Sequence, residues 1–140
     1  MREILFKAKR LDTGEWAEGY VFDDGMVNSN RVFVGNIAIS DYKGKACDEW
    51  NIEGIDFCEV DPSTVCQYIG LKDKNGVKIF EGDIISIIGS KKPGIPAAVK
   101  YLSERCQFVI DRGAYNPIWM NDLTPEKDFE VIGNIHDKEE

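Results

Sequence analysis

The segment VDPSTVCQYIGLKDKNGVKIFEGDII spans residues 60–85 and holds the densest turn chemistry in the chain. Asp61-Pro62 predicts a single helical turn, because aspartate can cap free N–H groups and proline is harmless at a first helical position. The run Lys72 to Gly76 predicts a tight hairpin turn, since Asn and Gly tolerate positive φ. Glu81-Gly82-Asp83 predicts a kink that redirects the following strand, Ile84 to Ile88.

Hydrophobic alternation predicts a hairpin near the start of the chain. Ile4 to Lys9 and Trp16 to Phe22 alternate as strands do, and Asp12-Thr13-Gly14 between them has the chemistry of a three-residue hairpin loop. Three aromatic or apolar residues at alternate positions share one side of the second strand: Trp16, Tyr20 and Phe22. Antiparallel β structure is therefore expected from the first residues onward.

The next part of the chain predicts two further strands and one irregular region. Asp23-Asp24-Gly25 reads as a turn, and Arg31 to Ile39 as the third extended segment. Residues 40–54 are mixed, charged and aperiodic, which predicts a surface loop. Ile55 to Val60 resumes a strand that leads into the central segment.

Downstream of the kink the sequence predicts short strands separated by turns. The extended segments are Ile84 to Ile88, Ala97 to Leu102, Gln107 to Asp111 and Phe129 to Ile135. Thr124-Pro125-Glu126 has the cap, first proline and acidic first turn of a very short helix. Short strands at this spacing, with little helix, favour a small barrel.

The central segment resembles the signature of the YopX family, small proteins of bacteriophages and integrated prophages. The resemblance lies in the pattern Pro-x-Thr-Val-x-Gln-Tyr-x-Gly-Leu-Lys-Asp-Lys-Asn-Gly-x-Lys-Ile-Phe-Glu-Gly-Asp-Ile. Residues 6–20 resemble the opening hairpin of that family, and residues 129–137 its closing strand. Cys66 is a departure, because the family often has glycine there. The resemblance implies an SH3-like barrel in residues 82–137 and implies no activity.

The predicted fold class is mainly β, a β-rich α+β arrangement. An N-terminal hairpin and sheet region, residues 1–81, is expected to pack with a C-terminal SH3-like small barrel, residues 82–140, in one compact unit. A chain of 140 residues suits one domain or two packed subdomains. Its hydrophobic fraction of 43% is enough for a core.

Composition also indicates the compartment. No apolar run approaches the ~20 residues of a membrane span, and the first residues lack the apolar region of a signal peptide. A cytoplasmic protein without membrane contact is expected. The four cysteines are Cys47, Cys58, Cys66 and Cys106, and no two of them have Cys-x-x-Cys spacing. They are expected to be reduced and mostly buried. A zinc site formed by cysteines that are distant in sequence is the alternative.

The sequence offers no convincing catalytic, cofactor or metal residue. Residues 89–92, Gly-Ser-Lys-Lys, lack the first glycine and the Gly-Lys-Ser/Thr ending of a phosphate loop. Two carboxylate pairs could hold a cation or divide acid and base roles, but solvated surface charge is the simpler interpretation: Glu59 with Asp61, and Glu81 with Asp83. We therefore expect no cofactor and no enzyme activity, while an enzyme with a novel site stays open.

The charge distribution bears on two hypotheses, nucleic-acid binding and protein binding. The net charge is −8, yet residues 71–100 carry six basic and three acidic groups. Nucleic-acid contact by the barrel would use Lys91, Lys92, Lys100 and Arg105, with Tyr101, Tyr115 and Trp119 as aromatic candidates. The acidic balance disfavours this hypothesis, because a polyanion is repelled.

The favoured hypothesis is a protein-interaction module. Residues 11–70 carry 12 acidic and three basic groups and could form its binding surface, although acidity also simply aids solubility. The expected function is that of a non-enzymatic phage or prophage accessory protein that binds an unknown protein of the host or phage. Self-association stays open, because small sheets leave edges that other chains can pair.

Overall fold

The computed structural model describes residues 3–42, 50–87, 96–111, 118–119 and 125–137. Within these ranges the chain forms eleven β-strands, one 3-10 turn and one four-residue α-helix. The prediction of a mainly β fold is therefore confirmed. No helix in these ranges is long and apolar enough to cross a membrane.

The chain divides into two compact units. The N-terminal unit is Leu5–Val65, and the C-terminal unit is Cys66–Glu140 together with Met1–Ile4. The division into residues 1–81 and 82–140 that the sequence suggests stays a prediction.

The N-terminal unit is an antiparallel meander in which strands adjacent in sequence are adjacent in space, in the order β4-β3-β2-β1. The strands are β1 (Phe6–Lys9), β2 (Trp16–Asp23), β3 (Val32–Tyr42) and β4 (Trp50–Val60). Gly14 has a φ of 74° in the β1–β2 loop, and its N–H donates to the Arg10 carbonyl at 2.9 Å. The predicted hairpin loop, with glycine in the left-handed position, is confirmed.

The predicted loop over residues 40–54 is wrong where the structure describes it. Strand β3 continues to Tyr42 and β4 begins at Trp50, and the register pairs Asp41 with Asn51 and Tyr42 with Trp50. The register shifts twice, between Ala38 and Ile39 and again before Asp41. The error has a physical cause, since backbone pairing across a hairpin with bulges does not require an apolar alternation.

One side of this sheet forms a small apolar core. Ala8, Val34 and Val60 are fully buried there, and Val21 and Cys58 pack against them. Burial at alternate positions of β2 and β3 follows from the strand period of two, which places the remaining side chains on the opposite side.

The turn after β4 has the predicted cap. Asp61 Oδ1 accepts a hydrogen bond from Ser63 N at 3.0 Å, and Pro62–Thr64 form a 3-10 turn. Buried Thr64 ties this turn to β1, because its hydroxyl donates to the Asp61 carbonyl at 2.7 Å and accepts from Lys9 N at 2.8 Å. The helical turn predicted from Asp61-Pro62 is confirmed.

The C-terminal unit contains a hairpin and a five-stranded antiparallel sheet of order β10-β9-β8-β7-β11. Its elements are β5 (Cys66–Lys72), β6 (Lys78–Phe80), β7 (Asp83–Ile87), β8 (Ala97–Leu102), β9 (Gln107–Asp111), β10 (Ile118–Trp119), α1 (Pro125–Asp128) and β11 (Phe129–Asn134). The described strands β10 and β11 lie at the two ends of that order. A closed SH3-like barrel therefore stays a prediction.

The core of this unit contains buried apolar side chains from the β5–β6 hairpin and from β7, β8, β9 and β11. Its members are Ile69, Ile79, Ile85, Ile87, Ala97, Val99, Ile110 and Phe129. Phe129 is wholly buried at the start of β11, immediately after the short helix. Six of these residues, from Ile85 to Phe129, lie in strands that the sequence predicts, and Ile69 and Ile79 lie on either side of the predicted hairpin turn.

Asp73 fixes the β5–β6 turn. Its Oδ1 accepts hydrogen bonds from Asn75 N at 2.8 Å and Val77 N at 2.9 Å, and its Oδ2 accepts from Val131 N at 3.0 Å. Burial is the largest influence and by itself raises the pKa of Asp73, but the three backbone donors outweigh it and the pKa lies below its ordinary value. With Gly76 at a φ of 77°, the predicted hairpin turn is confirmed.

The predicted kink lies at Gly82, whose φ is 83°. Its N–H donates to the Val99 carbonyl at 2.7 Å, and its carbonyl accepts from Ile135 N at 2.9 Å. A Cβ at this position would lie 3.3 Å from the Ile135 side chain. Glycine therefore meets both a conformational and a packing requirement here.

Asp83, next to the kink, is a buried structural carboxylate. Its Oδ2 accepts from Phe80 N, and its Oδ1 accepts from Asn134 Nδ2, both at 2.8 Å. The Asn134 amide also lies 4.0 Å from the Cys66 sulfur, and its Oδ1 accepts from His136 N at 2.9 Å. Backbone and side-chain polar groups of β7, β11 and the kink thus satisfy one another away from water.

Candidate functional site

The side of the N-terminal sheet opposite its core carries a row of aromatic side chains, here called the aromatic face. Its members are Trp16, Tyr20 and Phe22 on β2, Phe33 on β3 and Phe57 on β4. The register brings them together, because Phe22 pairs with Phe33 while Gly35 pairs with both Tyr20 and Phe57. Tyr20 is 52% exposed and Phe22 37% exposed. Tyr20 and Phe22 thus leave apolar ring surface in contact with solvent on this side of the sheet.

A groove of about 400 Å³ lies in this face and is called the phenylalanine groove. It is lined by Phe22, Asp23, Phe33 and Phe57. The rings of Phe22 and Phe57 meet edge to face, with centroids 4.8 Å apart. The volume is at the lower end of ordinary ligand pockets and suits one large apolar side chain.

Aspartates stand at one end of the groove. Asp23 Oδ1 accepts from Gly25 N at 2.8 Å, and Asp24 accepts from the Ser29 hydroxyl at 2.6 Å and from Met26 N at 2.9 Å. The Ser29 hydroxyl is the main reason that the pKa of Asp24 lies below its ordinary value. This end of the face is therefore negatively charged at neutral pH.

Arg31 offsets only part of that charge, because its guanidinium attracts Asp24 but is hydrogen-bonded to Glu59. Its Nε and Nη2 donate to the two carboxylate oxygens of Glu59 at 2.9 and 3.1 Å, in a bidentate pair. The guanidinium also lies 5.2 Å from the centroid of the Phe33 ring. The hydrogen bond from Arg31 is the first cause of a lowered pKa at Glu59. The pair is internally neutral, which leaves the aspartates to set the sign of the groove.

Two lysines of β1 lie against the first residue of β2, at the other end of that strand. The Nζ atoms of Lys7 and Lys9 each lie 4.6 Å from the centroid of the Trp16 ring. Lys9 is the cross-strand partner of Trp16 in the β1–β2 register. These cation–π contacts orient the indole and cover part of it with lysine side chains.

The predicted nucleic-acid residues are only partly described. Lys91, Lys92 and Tyr115 lie outside the described residues, as does the side chain of Trp119. Lys100 Nζ lies 2.6 Å from Asp111 Oδ2, at a shallow cleft of about 490 Å³ in the C-terminal unit. The two remaining candidates lie in β8 and the turn after it: Tyr101, edge to face with Phe108 at 5.1 Å, and Arg105, whose N–H donates to the Leu102 carbonyl at 3.2 Å. Nucleic-acid contact through this set stays a prediction.

The carboxylate pairs separate into different environments. Glu59 is paired with Arg31, whereas Asp61 caps a turn. Asp83 is buried in a structural network, and Glu81 is half-buried with a pKa raised by burial. No cluster of three or more His, Cys, Asp or Glu in the described part could hold a metal ion.

The fold and the exposed face define a mainly antiparallel β protein with a row of aromatic side chains on one side of its N-terminal sheet. Residues 9–140 match the YopX protein family, so the chain belongs to that family. The crystal structure of protein EF1440 from Enterococcus faecalis is similar, with 29% identity and a TM-score of 0.59 over 97% of this chain and 95% of that one. None of the curated proteins matches the sequence.

The sequence revealed three of the five members of the aromatic face. Alternation placed Trp16, Tyr20 and Phe22 on one side of a strand, but nothing local assigned Phe33 and Phe57 to the same surface. Their membership depends on the register of β2, β3 and β4, which long-range pairing sets. A usable signal was the pattern around Phe57, where a large aromatic alternates with acidic Glu59 in a strand.

Proposed function

We propose that this chain is a non-enzymatic accessory protein of a bacteriophage or prophage, and that it acts in the cytoplasm as a protein-interaction module. Its contact surface is the aromatic face of the N-terminal sheet, and its partner is a protein of the host or of the phage. The exposed aromatic row, with its phenylalanine groove, is the observation that carries this proposal. The phage origin is supported by the family resemblance of the central segment alone.

Aromatic side chains favour a protein partner. Tyr, Trp and Phe are enriched in the cores of protein interfaces and supply most of the binding energy at hot spots. Tyr20 and Phe22 keep large apolar areas in water, and Met26 and Val27 in the following loop are 70% and 90% exposed. A partner that covers these side chains would gain roughly 1.5–3 kcal/mol for each fully buried one.

The nucleic-acid alternative has one supporting observation on the same face. Trp16 with Lys7 and Lys9 combines an aromatic ring and cations, as single-strand binding surfaces do. Asp23 and Asp24 oppose that alternative, because they would repel phosphates along the strand. The protein partner is therefore the better-supported choice.

A capture experiment with matched variants tests the proposal. Tagged wild-type protein is crosslinked in the host, captured, and its partner is identified and reconstituted from purified components. The test variant is Tyr20→Ser/Phe22→Ser, at 52% and 37% exposure. The matched control is Leu71→Ser/Ile132→Ser in the C-terminal unit, at 38% and 56% exposure.

The reconstituted complex should lose at least tenfold in affinity with the aromatic double variant and less than twofold with the control, since interface aromatics outweigh other exposed apolar residues. Equal affinities for the two variants would rule out the aromatic face as the contact surface. Salt-sensitive binding of oligonucleotides by wild type, with no reconstituted protein partner, would favour the nucleic-acid alternative. The proposed phage origin predicts that the gene for this protein lies among other phage genes.

A further inference from the structure

We infer that the phenylalanine groove binds a cationic, apolar polypeptide segment: one large apolar side chain enters the groove, and an adjacent Lys or Arg pairs with Asp23. This inference rests on the proposed function and names the chemistry of the partner at that surface. It is argued from the lining of the groove, its charge and two exposed apolar residues close to it in sequence.

The lining suits one large side chain. Three phenylalanine rings and one carboxylate surround about 400 Å³. Gly35, which pairs with Phe57 across β3 and β4 and with Tyr20 across β2 and β3, contributes no side chain to this face. An indole, phenyl or leucine side chain in the groove would contact the rings of Phe22, Phe33 and Phe57.

The charge selects a cation beside that side chain. Asp23 lines the groove itself, and only its Oδ1 accepts a hydrogen bond from the described residues, from Gly25 N. Asp23 Oδ2 thus keeps acceptor capacity for a partner donor. Asp24 is the next residue, and Arg31 interacts with both Asp24 and Glu59, so three carboxylates and one guanidinium leave this end of the groove net acidic. Complementarity to a Lys or Arg follows directly, and a polyanion is disfavoured.

Two exposed apolar residues lie close in sequence to the groove residue Asp23. Met26 and Val27 follow the aspartates in the β2–β3 loop and are strongly exposed. An extended segment lying along this end would bury them beyond its cationic residue. In an extended peptide, a large apolar side chain would enter the groove and an adjacent cationic side chain would pair with Asp23, since pockets that bind alternate side chains give peptide recognition its specificity.

Titration of the full chain with short peptides, monitored by amide chemical shifts, tests the inference. The probe is Ac-Gly-Lys-Trp-Lys-Gly-NH2; the comparison peptides replace both lysines by glutamate, or the tryptophan by alanine. The lysine–tryptophan peptide should shift the amides of Phe22, Asp23, Phe33 and Phe57. We expect binding on the order of tenfold weaker for each comparison peptide, and weakening on going from about 20 mM to about 300 mM salt.

Asp23→Asn removes the proposed pairing group from an exposed turn and should reduce the preference for lysine over glutamate to less than about threefold. Glu104→Gln, in the exposed turn after β8, is the charge-matched control and should leave the preference unchanged. Equal binding of the lysine and glutamate peptides by wild type, or no shifts in the groove, would overturn the inference. Shifts of the same amides by an oligothymidine strand that exceed those of the peptide would also overturn it.

These results are separable from a failure of the proposed function. A reconstituted partner that needs Tyr20 and Phe22 but does not compete with the lysine–tryptophan peptide would leave the interaction module standing and refute only the cationic anchor. A partner indifferent to both aromatic residues would refute the module itself.

Discussion

Replacement of Asp83 by alanine should strongly destabilise the C-terminal unit. Asp83 is 1% exposed, and its carboxylate accepts hydrogen bonds from Phe80 N and Asn134 Nδ2, each at 2.8 Å. Alanine would leave both donors buried without this acceptor. Each such donor costs ~1–3 kcal/mol, so we expect a loss of about 4 kcal/mol from a total that is typically ~5–15 kcal/mol.

Urea denaturation followed by far-UV circular dichroism and by tryptophan fluorescence measures this loss. Linear extrapolation gives the free energy of unfolding, and coincidence of the two signals checks that one cooperative transition is observed. Asp83→Asn serves as the intermediate variant. Its single carbonyl oxygen can accept from one of the two donors, whereas its NH2 group is itself a donor and cannot accept from the other. A loss of about 2 kcal/mol is expected for it.

Glu104→Ala provides the control. Its side chain lies in the exposed turn between β8 and β9, and substitutions at such positions usually change stability by less than ~0.5 kcal/mol. If Asp83→Ala unfolds within about 1 kcal/mol of wild type, the carboxylate is not the main acceptor for these donors and the reasoning fails.

Three further predictions concern the sheet contact and two carboxylates. Gly19→Ala should lower the free energy of unfolding by about 1–3 kcal/mol, because its Cβ would lie 2.6 Å from the Gly35 carbonyl oxygen. Gly25→Ala is the comparison in parallel thermal melts; it has open space around it, so only its positive φ of 70° should cost stability, by about 1 kcal/mol. Asp73→Asn should unfold more readily than wild type at pH 7, and the difference should shrink as the pH falls below the ordinary aspartate pKa of 3.8, since the folded pKa is lower still. Glu81→Gln should raise Tm at pH 7 and lose that advantage below pH 4.5, because burial raises the pKa of Glu81 and disfavours its charged form; an unchanged Tm at pH 7 would contradict this.

Local chemistry predicted the turns well. Gly14, Gly25, Gly76 and Gly82 all have positive φ, and each lies in a turn or kink that the sequence predicts. These predictions succeeded because a tight turn depends on a few consecutive residues whose backbone preferences are intrinsic.

Pairing over longer distances was harder to predict. Residues 40–42 and 50–54 join β3 and β4 despite their irregular composition, and the bulges near Ala38 and Ile39 interrupt any alternation. A strand held by backbone hydrogen bonds to a neighbour can carry a polar, aperiodic sequence, so the pattern alone indicated a loop.

The carboxylates show the same limit at the level of single residues. Glu81 and Asp83 are two positions apart in sequence, yet one is half-buried with a raised pKa and the other is enclosed by the Phe80 and Asn134 donors. The partner Asn134 is 51 residues away, so the distinction depended on the packing of β7 against β11.

The sequence by itself determined the mainly β character, the positions of the tight turns and three of the five members of the aromatic face, because each depends on residue type and spacing within a few residues. Tertiary structure decided the register that adds Phe33 and Phe57 to Phe22. It also decided that Arg31 is held by Glu59 and that Asp23 borders a groove. Those outcomes depend on which distant backbones pair, and strand pairing brings together residues that no local pattern relates.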